Sequence, residues 1–139
     1  MKWGLVGLVG VLVIIQLVPF GRSHDNPSVI AEPAWDSPAT RDLAVRACYD
    51  CHSNEVVWPW YTSVAPISWL TTRDVDEGRG KLNFSEWGSG EQELDDLVEV
   101  IEEGEMPPVY YEWVHSSARL SDTETGQLIQ GLQATVGRR

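Results

Sequence analysis

The sequence predicts an all-α protein, a small helical domain behind a single N-terminal transmembrane helix. Three observations predict it. The run from Trp3 to Phe20, WGLVGLVGVLVIIQLVPF, carries no charge. Later segments repeat apolar residues at helical spacing, as in Leu94, Leu97, Val98 and Ile101. Cys48-Tyr49-Asp50-Cys51-His52 sets two thiols and an imidazole within little more than one helical turn. The division that follows is residues 1–21 as a transmembrane signal anchor, 22–36 as a tether, and 37–139 as the folded domain.

At 139 residues the chain has room for one small domain and a tail. Its net charge of −11 excludes nucleic acid as a partner, because phosphates would be repelled. Six of the seven tryptophans lie beyond the N-terminal segment and give the domain large flat side chains for its core. A domain of roughly 110 residues is marginal in core size, and a buried cofactor would add apolar surface.

The N-terminal run of 18 residues would span about 27 Å as a helix, close to the ~30 Å hydrocarbon core of a bilayer. A cleaved signal peptide is the alternative, but Arg22 spoils Gly21-Arg22-Ser23 as a cleavage site. An uncleaved anchor is therefore favoured. Lys2 and Arg22 flank the run on both sides, so charge does not orient it. Gly4, Gly7 and Gly10 leave room for close helix contact. Arg22 to Trp35 contains Asn26-Pro27 and Glu32-Pro33 and reads as an extended tether.

Ser37 is placed to cap the first domain helix, with Pro38 at its first position. Leu43, Ala44, Ala47, Cys48 and Cys51 then fall on one face, while Asp42, Arg46 and Asp50 mark the solvent face. The motif Cys48-x-x-Cys51-His52 has the spacing of a c-type haem attachment site. Two thiols on one face reach two vinyl groups of one porphyrin edge, and the next residue turns an imidazole nitrogen to the iron. A thioredoxin-like dithiol would want a βαβ context, and zinc would want about four ligands, drawn here from His52, His115 or carboxylates at irregular spacing.

Trp58-Pro59-Trp60 cannot be regular helix, since the residue before proline is pushed toward extended geometry. With Tyr61 it forms an aromatic loop that either packs on the porphyrin or belongs to the core. Pro66 to Gly78 reads as a helix ended by Gly78 and Gly80. Lys81 to Gly90 reads as a loop or a short helical turn. From Ser89 or Gly90 an amphipathic helix runs to Gly104, with Glu91, Glu93, Asp95 and Asp96 in its first turns, where the dipole favours them. The last helix opens with a capping box at Ser121-Asp122-Thr123-Glu124. Leu128, Ile129, Leu132 and Val136 form its buried stripe, and Gly137-Arg138-Arg139 closes it.

Glu105-Met106-Pro107-Pro108 follows Gly104 directly. Two prolines stiffen this loop and hold Met106 extended, as a distal thioether ligand requires. A Met packed in the core is the bland alternative. His115 is the rival ligand, and His24 lies too near the tether.

With these residues placed, the chain resembles the bacterial haem-binding domain family, a c-type cytochrome-like group. The resemblance rests on CYDCHSNEVVWPWY (Cys48 to Tyr61), APISWL (Ala65 to Leu70), DVDEGRGKLNFSEW (Asp74 to Trp87) and GEMPP followed by two tyrosines, within Trp35 to Leu132. Val109 and Ser116 depart from its pattern, which would have an aromatic and a proline there. The resemblance implies a cytochrome-c-like helical fold around one covalent haem, with Cys48 and Cys51 attached and His52 as proximal ligand. Adding Met106 as distal ligand gives a monohaem electron carrier and not an enzyme. A sensor or haem enzyme with an open sixth position is the alternative. Because covalent attachment occurs outside the cytoplasm, the domain is expected on the periplasmic face of the inner membrane, single-pass. Its expected partners are redox proteins, a membrane respiratory or photosynthetic complex among them.

Overall fold

Side-chain caps start two of the helices. The computed structural model describes residues 2–89 and 96–137. Within them the regular elements are α1 (Lys2–Ile15), α2 (Pro38–Ala47), α3 (Tyr49–His52), α4 (Ile67–Lys81), α5 (Glu99–Glu102), α6 (Val109–Val114) and α7 (Asp122–Val136). Short 3₁₀ turns cover Trp60–Ser63 and Ser116–Ala118. The fold is all-α. Ser37 Oγ accepts from the Thr40 amide and Pro38 opens α2. Ser121 and Glu124 form the reciprocal capping box of α7.

α1 is shorter than the 18-residue span expected. After Ile15 the amides of Gln16, Leu17 and Val18 turn to the carbonyls of Val13, Ile14 and Ile15, and Pro19 then blocks any helical continuation. Among the described residues, no helix is long and apolar enough to cross a membrane. No residue of α1 is buried.

The segment 22–36 is extended, yet it is bound to the domain and does not hang loose. Ile30 and Ala31 donate their amides to the Ser85 carbonyl, and Trp87 donates to Ala31. Asn26 donates to the Val56 carbonyl, Arg79 donates to that of Asp25, and Glu32 pairs with Arg41 at 2.6 Å. Prolines keep this stretch out of helix, so its backbone groups find partners on the domain surface instead.

α2 does not carry the cysteine motif as one straight helix. Cys48 leaves helical geometry at φ −123°, and the chain re-enters a helical turn as α3. Cys51 and His52 still donate their amides to the Cys48 carbonyl. α3 packs on α4, and α2 on α7. The core is Leu43, Ala44, Tyr49, Leu82, Phe84, Leu97, Leu128 and Leu132, with Trp35, Trp87, Ile101 and Val136 against it. Fully burying a large apolar side chain contributes about 1.5–3 kcal/mol. In α7 the buried stripe is Leu128, Gly131, Leu132 and Thr135; Ile129 and Val136 are only half-buried.

α4 runs through Gly78 and Gly80 to Lys81, three residues past the expected stop. Of the amphipathic helix expected from Ser89 or Gly90, residues 90–95, including Glu91, Glu93, Leu94 and Asp95, lie outside the described residues. So do Arg138 and Arg139. Helical bonding is present from Asp96, and Gly104 at φ +72° ends it as expected.

Candidate functional site

A cavity of about 560 Å³ opens between α3, α4, α6 and the loop after α5, within the usual size range of cofactor sites. Cys48, Cys51, His52 and Met106 all line it, over a floor that includes Leu82, Phe84, Leu97 and Leu128.

Gly78 positions the motif. A Cβ there would stand 2.5 Å from the Cys51 carbonyl oxygen, so only glycine allows α4 this close to α3. The Gly78 carbonyl is thereby brought within 3.0 Å of His52 Nδ1, and that of Leu82 lies at 3.1 Å. Carbonyls only accept, so Nδ1 carries the proton. Nε2 keeps its lone pair and is the free metal-binding nitrogen. Burial holds His52 below its ordinary pKa, which favours the neutral imidazole a metal needs.

Behind the motif lies a buried polar network. Ser53 Oγ donates to the Tyr49 carbonyl, and the Asn54 amide to Ser85 Oγ. Asn83 Nδ2 donates to Asn54 Oδ1, while its own Oδ1 accepts from the Ser85 amide. The Phe84 amide donates to the His52 carbonyl at 2.8 Å. Two of the stretches that carry the family resemblance are thus locked to each other directly behind the imidazole.

Both cysteines are unpaired. Burial pushes each thiol up to about 12, with Cys51 adding to the effect on Cys48, and Asp74 and Asp50 adding to that on Cys51. A reactive dithiol needs the opposite shift, so the thioredoxin-like alternative loses its chemistry. Among the described residues, no three His, Cys, Asp or Glu side chains are grouped to hold a metal ion.

The Met106 loop is held at both ends. The amides of Glu105 and Met106 both donate to the Val100 carbonyl. On the far side Tyr111 of α6 donates to Asp50 Oδ2 at 2.6 Å, and Asp50 Oδ1 accepts from the Val57 amide. Tyr110 donates to Asp74. Asp50, expected on the solvent face, is therefore a strut between the cysteine motif and α6. Burial, then Asp50, pushes the Tyr111 phenol well above its ordinary range, and it stays a donor.

Three sequence-predicted residues do not meet the others. Trp58, Trp60 and Tyr61 are not among the residues lining the cavity. Trp58 stacks on His24 at 4.6 Å, and Trp60 is exposed. Tyr61 shares a hydrogen bond with His115 Nε2. The other His115 nitrogen meets the Tyr111 carbonyl, and the ring stacks on Tyr111 at 4.0 Å. The rival ligand is engaged through both ring nitrogens and is not among the residues lining the cavity. The aromatics that do line the cavity are Phe84 and the Tyr110-Tyr111 pair, and the pair was the one not singled out. Its signal was its position after two prolines, and Gly78 and the Asn54–Asn83 contact had no local signal.

An apolar cavity with two unpaired thiols on one turn, an oriented imidazole and a thioether has the donor set of a haem protein. The chain belongs to the haem-binding domain family, whose family model matches residues 10–134. Comparison with curated proteins returns no match, nor does comparison with solved structures. The family and the donor set agree on haem as the cofactor.

Proposed function

We propose that this chain is a membrane-anchored monohaem c-type cytochrome that passes single electrons and is not itself an enzyme. The observation that carries the reading is the convergence of Cys48, Cys51, His52 and Met106 on one cavity, with His52 Nδ1 already bonded to backbone carbonyls. Cys48 and Cys51 would hold the haem through two thioethers, and His52 Nε2 and Met106 would ligate its iron. When bound, the haem supplies an iron that gains and loses one electron. The chain's part is to hold its ligands still: Gly78 and Leu82 fix the imidazole, and the Val100 and Asp50 contacts fix the Met106 loop. A soft thioether favours the reduced metal and raises the potential.

The apolar run 3–20 anchors the chain in the inner membrane, with the domain on the periplasmic side. Two features support its retention on the mature chain. The family match begins inside α1, and Gln16 is hydrogen-bonded to Ala65 of the domain. Its partners are redox proteins, a membrane respiratory or photosynthetic complex among them.

Cys48→Ala with Cys51→Ala is expected to abolish haem that survives denaturation, read as a haem-stained band on a denaturing gel; a surviving band would sink covalent attachment. Met106→Ala is expected to lower the potential, remove the weak near-infrared sulfur-to-iron band and admit carbon monoxide. Wild-type protein that already binds carbon monoxide would turn the reading to a sensor or haem enzyme with an open sixth position.

A further inference from the structure

We infer that the face of the domain around the foot of α1, formed by Val64, Ile67 and Leu70 with Trp60 near them, rests on a bilayer surface of zwitterionic lipid headgroups. The inference relies on the anchoring proposed above and adds the domain's orientation to it.

The foot of α1 is a joint and not a linker. Gln16 Nε2 donates to the Ala65 carbonyl at 2.8 Å, and Gln16 Oε1 accepts from the Ala65 amide at 3.0 Å. Arg22 donates to the Gln16 carbonyl at 2.7 Å. Ser68 Oγ donates to the Phe20 carbonyl. Gly21, at φ +78°, lies so close that a Cβ would stand 2.2 Å from the Ser68 carbonyl oxygen. Segments 16–22 and 65–72 are thus closed on each other, and the domain follows wherever the helix goes.

The helix is also short. Its 14 residues reach about 21 Å, against ~30 Å of hydrocarbon. An inserted α1 therefore draws its foot down to the interface, and the residues beside the joint go with it. Those residues are apolar and open: Val64 is 39% exposed, Ile67 43%, Leu70 47% and Trp60 80%. Ile67 and Leu70 sit one turn apart on α4, and the 3₁₀ turn that begins with Trp60 packs on α4. Tryptophan favours the headgroup layer.

Charge separates this face from ordinary scattered surface apolar residues. The chain carries ten basic and twenty-one acidic residues, yet none falls between Val56 and Thr72. A gap of that length in so charged a protein suits contact with lipid. The net charge of −11 opposes an anionic surface, so the partner is a zwitterionic one.

The test uses the full, haem-loaded chain reconstituted in phosphatidylcholine vesicles that contain a diazirine-tagged lipid. After irradiation, lipid adducts are mapped by mass spectrometry. Adducts are expected on α1 and on residues 57–70, several-fold denser than on α7. Ile67→Asp with Leu70→Asp should lower the 57–70 adducts several-fold and leave those on α1. Phosphatidylserine vesicles should also lower them. Adducts on α1 with none on 57–70 would overturn this inference and leave the anchor standing. A chain that stays in the aqueous phase without adducts would overturn the anchor itself. Labelling of 57–70 that ignores both the paired substitution and the lipid charge would overturn the assignment of this face.

Discussion

Gly78 shows how much of the site depends on single atoms. Its hydrogen takes the place where a Cβ would press on the Cys51 carbonyl at 2.5 Å and on Cys51 Cβ at 3.1 Å. Gly78→Ala is therefore expected to push α4 off α3, to cost about 1–3 kcal/mol as overpacking does, and to loosen the carbonyl that orients His52. Urea unfolding reads the first effect, and the haem absorbance per chain reads the second. An alanine variant with unchanged stability and full haem content would mean that the close approach is not needed. At this scale the sequence was half legible. Cys48, Cys51, His52 and Met106 could be picked out because their chemistry is written in residue type and spacing. Gly78 was read as a helix stop, because an isolated glycine after an apolar pattern looks like one locally. Its actual task depends on a contact with a residue 27 positions away, which no local pattern encodes.

At the scale of elements, helix ends held by side chains were legible and helix ends set by packing were not. The caps at Ser37 and Ser121 stand as the sequence predicts. α6, for which the sequence reading named no regular element, is a helix held over the cavity by Tyr110 and Tyr111 on Asp74 and Asp50. The capping box of α7 also reaches outward, because Glu124 pairs with Arg46 of α2 at 2.6 Å. The Ser121 backbone amide first, and then Arg46, hold the Glu124 carboxyl down to about 2 from an ordinary 4.5. A depressed carboxylate contributes stability that is complete above its unfolded value and is lost as pH falls through its folded value. The α2–α7 clasp should thus weaken between about 4.5 and about 2. Thermal melts of wild type and Glu124→Gln would differ near neutral pH and converge across that window. A gap that stayed constant to the acid end would assign the effect to something other than this carboxylate. Ser121→Ala should cost about 1 kcal/mol as an N-cap loss.

At the scale of the whole molecule, one aromatic cluster ties the parts together, and Phe84 is its centre. Phe84 is fully buried. Its ring stacks on Tyr49 at 5.6 Å and on Trp87 at 6.0 Å, and it meets Trp35 at 5.3 Å. It also lines the cavity, and its amide holds the His52 carbonyl. The cysteine motif, the loop after α4 and the segment before α2 thus share one side chain. The tryptophans expected to fill the core do so only in part: Trp35 and Trp87 pack against it, while Trp60 and Trp113 are exposed. That residues 22–36 belong to the folded unit was not legible either, because their prolines and sparse apolar content look like a linker and their bonds are to distant backbone. Phe84→Ala is expected to cost about 3–5 kcal/mol, a large share of the roughly 5–15 kcal/mol that holds a domain together. Phe84→Leu keeps more of the volume and should cost less. The two variants differ most in the near-ultraviolet circular dichroism of the packed tryptophans, which the alanine should flatten. Amide exchange at Ile30, Ala31 and Trp87 supplies the decisive reading. These amides bond across the joint between segment 22–36 and the loop after α4, so if that segment is part of the cooperative unit they should lose protection in step with the core. Protection that stayed low in wild type and did not change in Phe84→Ala would restore the segment to the loose tether that its composition suggests.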